Sequence, residues 1–145
     1  MTRTLATIGY EQATQEAVIE KLRGAKVQVV IDVRAVAASR RAGFSKTILA
    51  NSLAEHGIDY VHLRALGTPK AGREAARHGR IEEMHAIYEQ QLATPEAQLQ
   101  LREAADIAGT RKAALLCFEA DHTRCHREII AGRLASAHGF KIENL

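Results

Sequence analysis

The sequence predicts an α/β fold, with a mostly parallel sheet of four to five strands and helices on both of its faces. Three observations lead there. Short apolar runs rich in β-branched residues alternate with stretches whose apolar residues recur at helical spacing. The strongest run, Val27–Val33 (VQVVIDV), is nearly continuous in apolar residues, as befits a strand covered on both faces. The order is βα repeated, with two helices in succession before the fourth strand.

Along the chain, Thr4–Ile8 (TLATI) reads as the first strand. Thr14 then caps a helix whose Val18, Ile19 and Leu22 share a face, and Gly24 suits its end. After the second strand, Ser45 is placed to cap a helix carrying Ile48, Leu49 and Leu53, with Gly57 just beyond it. Ile58–Leu63 (IDYVHL) is a third strand, and the basic, glycine-containing stretch Arg64–Arg80 reads as a long mobile loop. Ile81, Met84, Tyr88 and Leu92 trace one face of a helix. Thr94-Pro95-Glu96 restarts the chain as another helix, with a cap and a first-turn proline, and Gly109 fits its end. Ala113–Phe118 (AALLCF) is a fourth, buried strand. A polar loop and a helix from about Thr123 to His138 come next, and Lys141–Asn144 adds a short edge strand.

The 145 residues suit one domain, residues 1–145. Apolar residues make up 46% and charged residues 26%, which excludes a disordered or collagen-like chain. With aromatics at 4% and no Trp, aliphatic side chains must fill the core. No stretch approaches the roughly 20 apolar residues of a membrane span, and no apolar signal region opens the chain, so a cytoplasmic protein is expected. Cys117 and Cys125 are too few for a disulfide framework and are expected to be free thiols there.

The net charge of +3 is too weak to imply a polyanion partner, but its distribution is uneven. Between Arg34 and Arg80 stand nine basic residues and three acidic ones, whereas the rest of the chain holds eleven and fourteen. An ordinary solvated surface accounts for such a cluster as readily as a binding face does.

In open α/β sheets, ligands sit outside the carboxyl ends of the strands, where the strand order reverses. The residues expected on that rim are Gly9 and Tyr10, Asp32 and Arg34, His62 to Arg64, and Glu119 with Cys125-His126-Arg127. Neither GxGxxG nor GxxxxGK[ST] is present, so any phosphate must be held by arginines and helix N-termini. Asp32 with Arg34 reads either as an internal ion pair that orders the rim or as a ligand or proton-transfer group. Ser39-Arg40-Arg41-Ala42-Gly43-Phe44-Ser45 combines guanidiniums, hydroxyls and a helix start, which suits an anion as well as it suits plain capping.

The segment from Cys117 to Arg127 is the densest chemistry in the chain, and three readings stand open. Cys125, in a first helical turn beside Arg124, His126 and Arg127, is electropositive enough to be a nucleophilic thiolate, with Glu119 the nearest acid or base. Cys117, His122, Cys125 and His126 are of zinc-ligating type, but the spacing is unfamiliar and neighbours on a helix point about 100° apart. Alternatively, Cys125 packs under the helix while His126 and Arg127 bind substrate or pair with Glu119 and Asp121. No metal and no cofactor are assigned. His62 and Tyr88 read as structural, the second on an apolar helical stripe.

Thr7-Ile8-Gly9-Tyr10, Ile31-Asp32-Val33-Arg34 with Ser39-Arg40, Gly43-Phe44-Ser45-Lys46, Gly57-Ile58-x-Tyr60, Leu66-Gly67 and Leu115-Leu116-Cys117-Phe118-Glu119 with Cys125-His126-Arg127 together resemble the bacterial and archaeal family called domain of unknown function 488. The resemblance covers almost the whole chain in the family's order. It implies a Rossmann-like layered fold and points to Gly9, Asp32, Arg34, Ser39, Glu119, Cys125, His126 and Arg127 as functional residues. It names no reaction. Where members often place a proline between the DVR motif and the serine, this chain has Ala35-Val36-Ala37-Ala38, and Thr68-Pro69 come after Leu-Gly in place of a glycine or small polar residue.

The function expected is that of an enzyme, or a protein built on an enzyme's site, that binds a small anionic ligand such as a phosphorylated metabolite, nucleotide or nucleic-acid end. Arg34, Arg40 and Arg127 hold the anion, with Gly9, Tyr10 and Ser39 beside it; Asp32, Glu119, Cys125 and His126 are the catalytic candidates. The alternative is a non-catalytic nucleic-acid- or protein-binding module that uses Arg64–Arg80.

Overall fold

The computed structural model describes residues 3–121 and 125–145. Five strands, β1 (Thr4–Gly9), β2 (Val29–Asp32), β3 (Asp59–His62), β4 (Ala113–Cys117) and β5 (Lys141–Asn144), form one sheet in the order β3-β2-β4-β1-β5. Every pairing is parallel. Six helices connect them: α1 (Gln15–Gly24), α2 (Lys46–Glu55), α3 (Lys70–Arg77), α4 (Ile81–Leu92), α5 (Pro95–Thr110) and α6 (Arg127–His138).

Strand periodicity divides the core into two layers. Ala6 and Ile8 of β1, Val30 of β2, and Ala114 and Leu116 of β4 face one side, where they pack with Val18, Ile19 and Leu22 of α1 and Leu49 and Leu53 of α2. The alternate residues Leu5, Val29, Ile31, Ala113 and Leu115 face the other, against Ala75, Met84, Tyr88, Leu92, Ala104 and Ile130 from α3 to α6. This is a three-layer Rossmann-like α/β fold. Among the described residues, no helix is long and apolar enough to cross a membrane.

The topology sets where a ligand can enter. From β1 and from β2 the chain leaves toward the α1/α2 layer, while from β4 it leaves toward α6 on the opposite layer. β4 lies between β1 and β2, so neighbouring strands send their connections to opposite faces and a crevice opens over their carboxyl ends.

One helix start and one interior glycine qualify the sequence reading. Thr14 and Thr94 accept hydrogen bonds from Ala17 N and Ala97 N, as N-caps do. Ser45 stands at the N-cap of α2 with no capping bond, because its hydroxyl is engaged with Ser39: it accepts from Ser39 N and donates to Ser39 O. Gly109 lies within α5, which runs on to Thr110.

The long mobile loop expected over Arg64–Arg80 is corrected. Arg64–Leu66 forms a 3-10 turn, and α3 takes up Lys70–Arg77. The physical reason is burial, for Ala65, Leu66, Gly72 and Ala75 are all buried although the basic residues around them dominate the sequence. Tyr88 of α4, wholly buried, donates a 2.6 Å hydrogen bond to the Leu66 carbonyl, and Gln91 and Gln100 side chains bond the Ala65 carbonyl and amide. Tyr88→Phe should therefore cost about 1 kcal/mol in urea unfolding. An unchanged midpoint would mean that the turn does not depend on that bond.

Candidate functional site

Asp32 ends β2 with no exposed surface, so its carboxylate must find partners inside the protein. Arg34, two residues on, supplies most of them. Its Nε lies 2.9 Å from one carboxylate oxygen and its Nη2 2.7 Å from the other, while its backbone N–H donates to the first at 3.1 Å. The Tyr60 hydroxyl from β3 also donates to Asp32. Arg34 then reaches across to the other side, with Nη1 donating to the Tyr10 hydroxyl at 3.1 Å and the Phe44 carbonyl at 2.7 Å. Tyr10 and Phe44 are stacked, ring centroids 4.3 Å apart. One ion pair thus ties together the ends of β1, β2 and β3 and the loop before α2. Burial alone would lower the Arg34 pKa, but the Asp32 carboxylate more than compensates and holds the guanidinium charged. Burial and the same carboxylate raise the Tyr60 phenol.

A second anchor forms where β4 ends. Arg127, 1% exposed, points inward from the start of α6. Its guanidinium donates to the Glu119 carbonyl, to the Ala120 carbonyl at 3.1 Å and to Cys117 Sγ at 3.1 Å. Burial brings its pKa down to about 10, against the opposing pull of the carboxylates of Glu119, Asp121 and Glu128. Gly9 has to be glycine here: a Cβ would sit 1.6 Å from the Glu119 carbonyl oxygen and 2.8 Å from Arg127 Nη1.

Between these anchors lies a cavity of about 260 Å³ over the carboxyl ends of β1, β2 and β4. Tyr10, Arg34, Arg73, Cys117, Glu119 and His126 line it, with Cys125 and apolar residues such as Val36 and Met84. His126 lies just before α6, its Nε2 2.7 Å from the Val33 carbonyl. A carbonyl only accepts, so Nε2 carries the proton and Nδ1 presents its lone pair. Burial, helped by the Arg127 charge, lowers the imidazole pKa to about 4 despite that carbonyl bond.

The cavity brings together Tyr10, Arg34, Glu119, Cys125 and His126 from the residues singled out in the sequence. Asp32, Gly9 and Arg127 do not line it: Asp32 holds the lining residue Arg34, and Gly9 and Arg127 lie against the backbone of the lining residue Glu119, while Ser39 and Arg40 stand apart. Arg40 is exposed, and Ser39 is engaged with the Arg41 amide and with Ser45. The two cysteines are not free thiols: Cys117 and Cys125 are paired as a disulfide, because the turn into α6 lays Cys125 against the end of β4. Nor do Cys125 and His126 sit on the helix, which begins at Arg127. His122 and Arg124, and the predicted helix start at Thr123, lie outside the described residues. Sequence reasoning missed Arg73 and Thr68 as cavity residues, since only the folding of α3 over the strand ends places them there.

The fold and this rim define an α/β layered protein with a cavity at its topological switch point. The chain belongs to the family described as domain of unknown function DUF488, whose profile matches residues 14–134. No curated protein and no solved structure is significantly similar to it.

The buried groups should reveal themselves in unfolding experiments. Asp32→Asn leaves a guanidinium that is only 6% exposed without its counter-charge and should destabilise the protein by about 3 kcal/mol or more in denaturant unfolding. Removing Arg34 as well, by Arg34→Met, should cost clearly less than the two single losses added together; simple additivity would contradict the coupling. For His126 the folded pKa lies below the unfolded one, near 6.5, so between pH 6.5 and 4 the unfolded chain binds the extra proton. Its contribution is complete above about pH 6.5 and is lost as the pH falls toward 4, by roughly 3 kcal/mol in all. Unfolding free energies against pH should show this loss in the disulfide-closed protein and a flatter profile in His126→Gln. Parallel profiles would refute the assignment.

Proposed function

We propose that this protein is a cytoplasmic enzyme, or a protein descended from one, that binds a small anionic ligand at the carboxyl edge of its sheet. A phosphate-bearing metabolite, a nucleotide or a nucleic-acid end fits that description. The observation that carries the reading is the meeting, in one cavity at the switch point, of Arg73, the Arg34 guanidinium, Glu119 and His126. Arg73 is the cation best suited to a ligand. It is exposed, one Nη1 bond to the Thr68 carbonyl steadies it at 2.9 Å, and its remaining donors are available to an anion. Arg34 and Arg127 serve the anion indirectly, through the walls that they hold in place. Glu119 and the neutral His126 are the groups suited to moving a proton beside a bound ligand.

A second reading rests on the surface of α3. Lys70, Arg73 and Arg77 are exposed at helical spacing there, which suits the phosphates of a nucleic acid. The two readings share Arg73 and part at Arg77 and Glu119. A thermal-shift series with inorganic phosphate, nucleoside monophosphates and short oligonucleotides, at low and moderate salt, separates them. The pocket reading expects a rise of about 5–10 °C with one small anion at about 100 times its dissociation constant. That rise should persist with salt, survive Arg77→Glu and disappear in Arg73→Ala. A rise with oligonucleotides alone that fades with salt and is lost in Arg77→Glu would overturn it in favour of the surface.

A further inference from the structure

We propose that the reduced protein binds one zinc ion through Cys117 Sγ, Cys125 Sγ and His126 Nδ1, with the fourth position open to the cavity. The three ligand atoms all lie within 4.8 Å of one another. Cys125 Sγ and His126 Nδ1 are 3.7 Å apart. Two ligands on one tetrahedral zinc, at about 2.3 Å for sulfur and 2.0–2.1 Å for nitrogen, are about 3.6 Å apart, so this edge of the tetrahedron is already in place.

Cys125 and His126 are adjacent in the turn that leads into α6, where Cys125 Sγ and His126 Nδ1 nevertheless come to the same side. The third ligand comes from the last residue of β4, so the site bridges the strand and the start of the helix that leaves it.

Two further contacts prepare these ligand atoms. The Val33 carbonyl takes the Nε2 proton, which fixes the tautomer that a metal bound at Nδ1 requires. Arg127 Nη1 donates to Cys117 Sγ at 3.1 Å, a contact that favours the thiolate form of that sulfur once the disulfide is reduced. The two sulfurs and the imidazole line the cavity together with Glu119 and Arg73, so an ion held there has its open side toward whatever occupies that space. Three protein ligands and one open position are the pattern of a zinc that binds or activates water or substrate rather than one that only braces a fold.

The chemistry balances with a dithiol reductant. Its two thiols reduce the Cys117–Cys125 bond, itself becoming a disulfide, and leave two cysteine thiols. Zinc then displaces the two thiol protons to solvent and binds two thiolates and a neutral imidazole, giving a centre of zero net charge. The oxidised protein has no thiolate to offer, so the disulfide is the metal-free state of the same site. This assignment stands on the ligand geometry and holds whether or not the cavity takes an anion.

The test uses the full chain, reduced with a non-chelating phosphine and titrated with cobalt(II) and then zinc. The expected result is one equivalent of cobalt per chain, with the intense visible bands of tetrahedral geometry and a near-ultraviolet thiolate-to-cobalt charge transfer, both bleached by one equivalent of zinc. His126→Ala should weaken binding at least tenfold, and Cys125→Ser should remove the charge-transfer band of that sulfur. The absence of stoichiometric binding, a weak octahedral spectrum, or a spectrum unchanged in Cys125→Ser would overturn the site. Should a variant fail to fold, alkylation of the wild type decides: zinc should protect two thiols until a chelator is added, and two thiols that react equally fast with and without zinc would refute it.

Discussion

The rim of this protein depends on one buried carboxylate. Asp32 sits at the end of a central strand with no access to water, and charge at such a position persists only if it is matched in charge and in hydrogen bonds. Arg34 supplies the charge, and because a guanidinium carries five donors in a fixed fork, the same residue that neutralises Asp32 also grips Tyr10 and the Phe44 carbonyl. Three strand ends and the approach to α2 are thereby referred to one point. The cavity inherits its near wall from that arrangement.

Its far wall obeys a different rule. Arg127 gathers the carbonyls of Glu119 and Ala120, and the missing side chain of Gly9 allows the backbone after β4 to lie against the end of β1. Of the three arginines that the sequence suggested as ligand contacts, Arg34 and Arg127 therefore chiefly hold the walls of the cavity, and Arg40 stands away from it. The cation that faces outward comes from α3, an element whose composition reads as a loop.

How much was legible in the sequence depends on which forces write a local pattern. The strands and α1, α2, α4 and α5 announce themselves because burial of one face imposes a period, and Thr14 and Thr94 mark two of the helix starts chemically. The strand order could not be read residue by residue, but the rule that ligands lie at carboxyl ends was enough to bring Tyr10, Arg34, Glu119, Cys125 and His126 to one rim. α3 was missed because it buries only Gly72 and Ala75, too small an apolar signal beneath three exposed cations. The convergence of Cys117, Cys125 and His126 was missed because it depends on how the turn before α6 packs against the end of β4, a tertiary contact that leaves no local pattern.

Where a small anion settles decides between the cavity and the outer surface, and backbone amide shifts recorded during titration with inorganic phosphate locate it directly. The prediction is that perturbations concentrate at Tyr10, at Ala35–Ala38, from Thr68 to Arg73, and at Phe118, Glu119 and His126, around the cavity. Perturbations confined to Ser39–Ser45 at the start of α2, or to Arg77 and Arg80 on the outer surface, would contradict it.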